Sequence, residues 1–167
     1  AGLPIDAARA TVDLALANTR ARLRMTTLYY LAGLHGRLVA GTGNKVEDFG
    51  VGFFTKYGDG GVDLSPIADL TKSEVYELAK ALNVVDSIMK AKPTDGLFGD
   101  DRSDEDQIGA SYPELEWAMA LRDSGSEPAD LSERQRKVLA IFDRRRAANR
   151  HKMVAIPVCV IPQALRS

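Results

Sequence analysis

Cysteine is almost missing from this sequence, since Cys159 is the only one. This excludes an intrachain disulfide and any metal site built on paired cysteines. No apolar run approaches the roughly 20 residues that cross a bilayer. The first residues also lack the basic and apolar segments of a signal peptide. The formal net charge of −1 gives no overall attraction to nucleic acid. These absences predict a soluble, cytoplasmic protein that binds neither nucleic acid nor membrane.

What is present is ordinary globular composition. The 167 residues are 45% hydrophobic and 27% charged, which suits a folded chain rather than a disordered or fibrous one. This length corresponds to one domain that can bury a core.

The first third of the chain predicts two helices and a strand. One helix is expected over about 7–17 and another over Thr19–Ala32, with Asn18 as the N-cap of the second and glycines ending it. The short apolar run Arg37–Thr42 predicts a buried strand that opens into a polar turn. In open α/β sheets, ligands bind at that end of a strand. Because a parallel sheet needs several strands, the chain is interpreted as the later part of one.

The remaining two thirds are mostly helical by pattern. Thr71–Glu74 and Ser132–Gln135 are capping boxes that predict helices to about Leu82 and Ala148. Shorter helices are expected over about 85–91 and 114–122. The polar stretch Thr94–Asp106 predicts a loop that is functional or mobile, and the apolar tail 153–161 is not expected to form a central strand.

The turn after the predicted strand, Gly41-Thr42-Gly43-Asn44, has two interpretations. Thr42 is able to hydrogen-bond a nucleotide, and Glu47 is able to hold Mg²⁺, which prefers oxygen ligands. Taken alone, the plainer interpretation is favoured, with Asn44 as a helix cap and Glu47 in a first helical turn.

The glycine-rich run, Phe53 to Pro66, contains three glycines with charged residues around them. Glycine lets the backbone approach a ligand closely, and Lys56, Asp59 and Asp63 are able to read a charged or hydroxyl-rich molecule. A hairpin on Asp59-Gly60 would explain the glycines but not the lysine and the second aspartate. The pattern therefore favours a binding role.

Other charged residues have plain structural interpretations when considered singly. Lys72 is expected on a helix surface, and Lys92-Pro93-Thr94 resembles a helix stop, although phosphate contact would suit it. The basic residues up to His151-Lys152 predict either a solvated helix end or an anion site. Cys159 is interpreted as structural.

Several of these motifs together resemble NAD synthetases in order and spacing. They include Asn18 to Met25, Gly41 to Asn44, Phe54 to Gly61 and Lys92 to Thr94, and they continue with Asp104-Glu105, Gly109-x-x-Tyr112 and His151-Lys152. The resemblance covers nearly the whole chain. It implies a Rossmann-like adenine nucleotide alpha-hydrolase fold of the α/β class, in a single domain over 1–167.

The resemblance also implies an activity and residue roles. Family enzymes adenylate deamido-NAD with ATP, and ammonia then displaces AMP to give NAD. The implied contacts to deamido-NAD are Arg22, Lys56, Asp63, His151 and Lys152. The implied contacts to ATP are Thr42, Lys72 and Thr94, with Glu47 holding Mg²⁺. No side-chain nucleophile is required, and the loop 95–107 would order over the nucleotides.

Two departures from the family pattern matter. Lys56 lies one position farther from Glu47 than in many members, so Asp48 is expected to share or replace the metal role. The Ser-Gly-Gly-x-Asp-Ser ATP loop is absent from the 167 residues, so the chain is interpreted as the C-terminal half, inactive alone. The alternatives are a non-catalytic remnant that keeps the dinucleotide contacts, or another amidotransferase of the ATP pyrophosphatase family. The nitrogen donor, ammonia or glutamine, stays open. Because family enzymes are homodimers, the resemblance implies a homodimer, and the predicted helix Thr19–Ala32 is the expected contact, since residues 28–31 are rich in large apolar groups.

Overall fold

The computed structural model describes residues 9–94, 96–98, 103–126 and 128–166. The predicted start of the first helix, and residues 95 and 99–102 of the predicted loop, lie outside the described residues.

The first helix, α1, is continuous over Arg9–His35, so the predicted break at Asn18 is wrong. Instead of capping a helix, the Asn18 side chain accepts a hydrogen bond from the Thr55 hydroxyl at 2.6 Å. Alanines are frequent through this region, and alanine favours an uninterrupted helix. Gly36 ends the helix in the left-handed conformation, with φ of 60°.

The predicted strand over Arg37–Thr42 is reduced to one isolated parallel bridge, between Ala40 and Leu64. Gly41 N donates to Leu64 O at 2.7 Å, and Asp63 N donates to Val39 O at 2.9 Å. The described residues contain no longer strand, so the predicted parallel sheet is unconfirmed. Two paired segments without further strands are only marginally stable, which accounts for the short pairing.

The other elements are helical. A π-helical segment, Lys45–Val51, follows the bridge. It is succeeded by α2 (Lys72–Ala81), α3 (Asp86–Met89), α4 (Asp104–Ile108), α5 (Tyr112–Ser124) and α6 (Glu133–Met153). The capping boxes predicted at Thr71 and Ser132 are confirmed. The expected loop is wrong at its end, because Ser103 caps α4 with Asp106 in a capping box.

The main core lies between the π-helical segment, α5 and α6. Phe142, Leu115, Val46, Val51 and Val138 are its largest fully buried apolar side chains. Each such side chain contributes about 1.5–3 kcal/mol through burial. A smaller cluster packs Leu97 against Ala17 and Ala21 of α1. In the described part of the chain, no helix is both long and apolar enough to cross a membrane.

Candidate functional site

A cleft of about 900 Å³ opens between α1, the bridged segment and the ends of the later helices. Predicted site residues that line it are Thr42, Glu47, Lys72, Thr94 and Lys152. They come from four separate parts of the sequence, so the fold gathers them. Apolar side chains such as Met25, Phe54 and Phe98 line the same cleft. A cleft of this size, apolar with a few charged groups, is typical of a nucleotide-sized ligand site.

The turn at the first edge of the cleft is built on tight packing. Asn44 is buried, and its side-chain oxygen accepts from Val46 N at 3.1 Å and from Glu47 N at 3.0 Å. This confirms Asn44 as a helix cap. A Cβ on Gly43 would lie 1.9 Å from the Asp48 carboxylate, so any larger residue there would displace Asp48. The Asn44 cap and the close packing at Gly43 fix the backbone beside Thr42, which lines the cleft.

The carboxylates behind this turn have raised pKa values. Burial is the main cause that raises the pKa of Glu47 to about 7, with Lys72 opposing and Asp104 adding to the rise. Burial, followed by the charge of Asp59, raises the pKa of Asp48 to about 6. Burial thus makes the ionised forms of Glu47 and Asp48 less stable, and a bound cation would stabilise these charged forms.

The residues fit a magnesium ion that is shared with a ligand. In the four described ranges, no group of three or more His, Cys, Asp or Glu side chains is arranged to hold a metal ion. Mg²⁺ commonly takes only one or two carboxylates, with phosphates and water supplying its other oxygens. Glu47 lines the cleft, and its carboxylate accepts from Asn44 Nδ2 at 2.6 Å, which fixes its orientation.

The glycine-rich run forms consecutive turns, so the alternative of a hairpin on Asp59-Gly60 is wrong. Asp59 Oδ1 accepts from Thr55 N at 2.9 Å and closes the turn. Tyr57 adopts φ of 62°, which is uncommon for a residue with a side chain. A Cβ on Gly58 would lie 2.9 Å from the Ala21 Cβ, so this glycine lets the turn pack directly on α1.

Four predicted deamido-NAD contacts do not line the cleft. Three of them form a chain of contacts, because Arg22 Nε donates to Lys56 O at 3.3 Å and Lys56 Nζ donates to His151 O at 2.5 Å. Asp63 accepts from Val39 N at 2.8 Å and from the Tyr29 hydroxyl at 3.0 Å. Asp63 therefore joins α1 to the bridged segment, and its carboxylate still has acceptor positions free.

One face of α6 holds the backbone that leads into the glycine-rich run. Asn149 Nδ2 donates to Val51 O at 2.9 Å, and Arg146 Nη1 donates to Phe49 O at 2.6 Å. Lys152 Nζ donates to Gly52 O at 2.9 Å and to Phe54 O at 2.7 Å, and burial lowers its pKa. Lys152 thus both lines the cleft and supports its wall.

The cleft is also lined by residues for which the sequence predicts no specific ligand contact. Asn18 is predicted as a helix cap and Arg145 belongs to the basic residues before His151, whereas for Asp59 the sequence predicts only a general binding role. Arg145, Asn149 and Lys152 follow helical spacing along α6, a pattern that would have indicated one polar face. Cys159, expected to be structural, is exposed.

A family model described as NAD synthase matches residues 5–155. The chain belongs to the NAD synthase family. It is 50% identical over 112 residues to the NH(3)-dependent NAD(+) synthetase of Methanococcoides burtonii, covering 67% of this chain and 41% of that protein. It is 43% identical over 152 residues to the Archaeoglobus fulgidus protein of the same name, covering 91% of this chain and 58% of that protein.

Two solved structures are similar to this chain. The NMN synthetase of Francisella tularensis has a TM-score of 0.73 at 33% identity, covering 90% of this chain and 57% of that one. The NH3-dependent NAD synthetase of Campylobacter jejuni, in complex with nitrate, gives 0.66 at 28% identity, covering 88% and 56%. The chain therefore spans about half the length of the NAD synthase relatives that it matches.

Proposed function

We propose that this chain forms the deamido-NAD side and part of the ATP side of an NAD synthetase. A carboxylate oxygen of deamido-NAD attacks the α-phosphorus of ATP, and pyrophosphate leaves. Ammonia then attacks the acyl carbon, loses a proton, and AMP leaves with the electron pair of the broken bond. The observation that carries this proposal is the cleft, which gathers Thr42, Glu47, Lys72 and Thr94 in a member of this family.

We assign the deamido-NAD contacts to Arg22, Lys56, Asp63, His151 and Lys152. The contact chain Arg22–Lys56–His151 supports this assignment, because it links α1, the glycine-rich run and α6 around one region. A dinucleotide offers phosphates and hydroxyls that suit cations and a carboxylate respectively. Arg22, Lys56 and Lys152 donate to backbone carbonyls, and a phosphate would compete with these carbonyls for the same donors.

We assign the ATP contacts to Thr42, Lys72 and Thr94, with Glu47 as a Mg²⁺ ligand. When bound, Mg²⁺ would neutralise charge that builds up on the departing pyrophosphate. Lys72 would place a further positive charge on the same phosphates, and no side-chain nucleophile is needed. Asp48 lies against Gly43 and is proposed to share the metal role with Glu47 or to replace it.

The 167 residues contain no Ser-Gly-Gly-x-Asp-Ser sequence. We therefore expect them alone to bind deamido-NAD without turning it over. The alternative is a non-catalytic protein that binds the dinucleotide and associates with a second copy. Both predict dinucleotide binding, so only turnover by the protein as its gene encodes it separates them.

The test supplies that protein with deamido-NAD, ATP, Mg²⁺ and either ammonium or glutamine, and measures NAD and AMP by chromatography. The proposal expects equal amounts of NAD and AMP, with the better nitrogen source identifying the donor. ATP consumption without NAD formation would contradict it. Titration calorimetry of the 167-residue chain with deamido-NAD reports binding independently of turnover.

A second candidate substrate is the mononucleotide that lacks the AMP half. The similarity to an NMN synthetase, at a TM-score of 0.73, favours including it. Running the same assay with nicotinate mononucleotide compares the two acids directly. The dinucleotide assignment expects the higher kcat/KM for deamido-NAD, and a higher value for the mononucleotide would reassign the substrate.

A further inference from the structure

The aromatic side chain of Tyr112 contacts a residue that lines the cleft. Lys72 is the first residue of α2 and lines the cleft, and its Nζ lies 4.9 Å from the centroid of the Tyr112 ring. Tyr112 is the first residue of α5 and only 4% exposed. An ammonium at this distance is attracted by the face of an aromatic ring. The Tyr112 ring thus contacts the side chain of Lys72, which is proposed to bind ATP.

A second contact fixes the same end of α2. Glu116, one helical turn after Tyr112, accepts from Ser73 N at 2.9 Å and from the Ser73 hydroxyl at 2.7 Å. Residues four apart lie on one face of a helix, so Tyr112 and Glu116 reach α2 together. The backbone next to Lys72 and the end of its side chain are both held by α5.

The hydroxyl side of Tyr112 is held as well. Its oxygen lies 3.3 Å from Asp104 Oδ2, and its backbone N donates to Glu105 Oε1 at 2.8 Å. Burial and the nearby charges of Glu47 and Asp104 raise the pKa of Tyr112, so the phenol stays neutral and donates to Asp104. The ring therefore has a defined position between α2 and α4.

We propose that Tyr112 is a positioning residue that holds the Lys72 ammonium over its ring, where Lys72 meets the phosphates of ATP. This inference rests on the proposed function for the ATP contact, whereas the positioning itself does not. A lysine side chain has several rotatable bonds, and binding must restrict them. A ring that restricts them before ATP binds lowers that entropic cost.

The competing explanation is that the buried Tyr112 only fills space in the interior of the protein. Tyr112→Phe keeps the ring and loses the hydroxyl, whereas Tyr112→Leu loses the ring and keeps an apolar side chain. Trp117→Leu is the matched control, because it removes a half-buried aromatic side chain from the same helix. If Tyr112 only fills space, both leucine variants should behave alike.

The first readout needs no substrate. In the NMR spectrum of the chain, the ε protons of Lys72 should be shifted upfield by the ring current in the wild type, in Tyr112→Phe and in Trp117→Leu. Tyr112→Leu should lose this shift. A wild-type Lys72 without the upfield shift, or a shift that survives Tyr112→Leu, would overturn the positioning.

The second readout is kinetic and uses the protein as its gene encodes it. Tyr112→Leu should raise KM for ATP about threefold to thirtyfold and leave KM for deamido-NAD within twofold. Tyr112→Phe should restore KM for ATP. Equal changes in both KM values, or the same change in Trp117→Leu, would overturn the inference. If the wild type forms no NAD while the NMR shift is present, the failure lies in the proposed function instead.

Discussion

Two regions of the molecule differ in how completely their apolar side chains are covered. The packed half, which is the π-helical segment with α5 and α6, fully buries Phe142 and Leu115. In contrast, α1 buries the small Ala17 and Ala21 but leaves Tyr30 68% exposed. The packed half forms its own core, whereas α1 carries much more apolar surface than the described chain covers.

The two walls of the cleft therefore differ in the packing that holds them in place. A helix that is apolar on several sides is usually covered on several sides. The packed half supplies Glu47, Arg145 and Lys152 to the cleft, and α1 supplies Asn18 and Met25. One wall thus rests on a complete core, and the other wall belongs to a helix that leaves large apolar side chains exposed. We propose that a second copy of the chain covers residues 28–31.

The largest effect should come from the packed half. Phe142→Ala leaves a large cavity in the core and should lower the free energy of unfolding by about 3–5 kcal/mol. Leu23→Ala removes a side chain on α1 that is 62% exposed and should change it by less than about 0.5 kcal/mol. Urea denaturation measures both. Equal losses would mean that α1 is as fully packed as the core.

The next effect concerns the uncovered face of α1. Tyr30→Glu places a charge in the expected dimer contact and should raise the dimer dissociation constant by at least about tenfold. Leu82→Glu is the control, because Leu82 is equally exposed, at 68%, but follows α2. Sedimentation velocity at micromolar concentration measures both. A wild type that is monomeric there would contradict the predicted dimer.

Local patterns predicted the parts that depend on neighbouring residues. The capping boxes at Thr71 and Ser132 and the cap at Asn44 are set by side chains within three positions, so the sequence identified them. Asn18 was misassigned because its partner, Thr55, lies far along the chain. The contact of Tyr112 with Lys72 likewise joins two helices, and no local spacing encodes it.

The predicted sheet is unconfirmed for a related reason. An apolar run such as Arg37–Thr42 predicts a strand, but a strand also needs partners beside it. In the part of the chain that the structure describes, its partner is the segment at Leu64, paired through a single bridge. Periodicity reports what a segment is suited to form and not whether partners are present.

A smaller effect tests an ion pair at the surface of the packed half. Arg134 Nη2 lies 2.6 Å from Glu114 Oε2, and this hydrogen bond is the main cause that lowers the pKa of Glu114 to about 2. Because the pKa of Glu114 is lower in the folded state than in the unfolded state, ionised Glu114 stabilises the fold at pH values above about 4.5. This stabilisation is lost as pH falls from about 4.5 towards 2.

Glu114→Gln should therefore lower the free energy of unfolding by less than about 1 kcal/mol at neutral pH, because the pair is partly exposed. The difference from wild type should shrink as pH falls towards 2. Glu77→Gln, at the exposed pair with Lys80, is the control and should change little at either pH. A difference for Glu114→Gln that grows in acid would contradict the sign.

The central claim is that the cleft and its surroundings hold two substrates at separate residues, and Asp63 and Lys72 test it together. Loss of a charged hydrogen bond to a ligand weakens binding about tenfold to a hundredfold. Because Asp63 also accepts from the Tyr29 hydroxyl, Tyr29→Phe controls for that structural bond.

The decisive measurement is KM for both substrates in Asp63→Asn and Lys72→Ala, made in the protein as its gene encodes it. The account predicts that Asp63→Asn raises KM for deamido-NAD about tenfold or more and leaves KM for ATP within about threefold, with the reverse for Lys72→Ala and a smaller change for Tyr29→Phe. Equal changes for both substrates in both variants, or none in either, would contradict it.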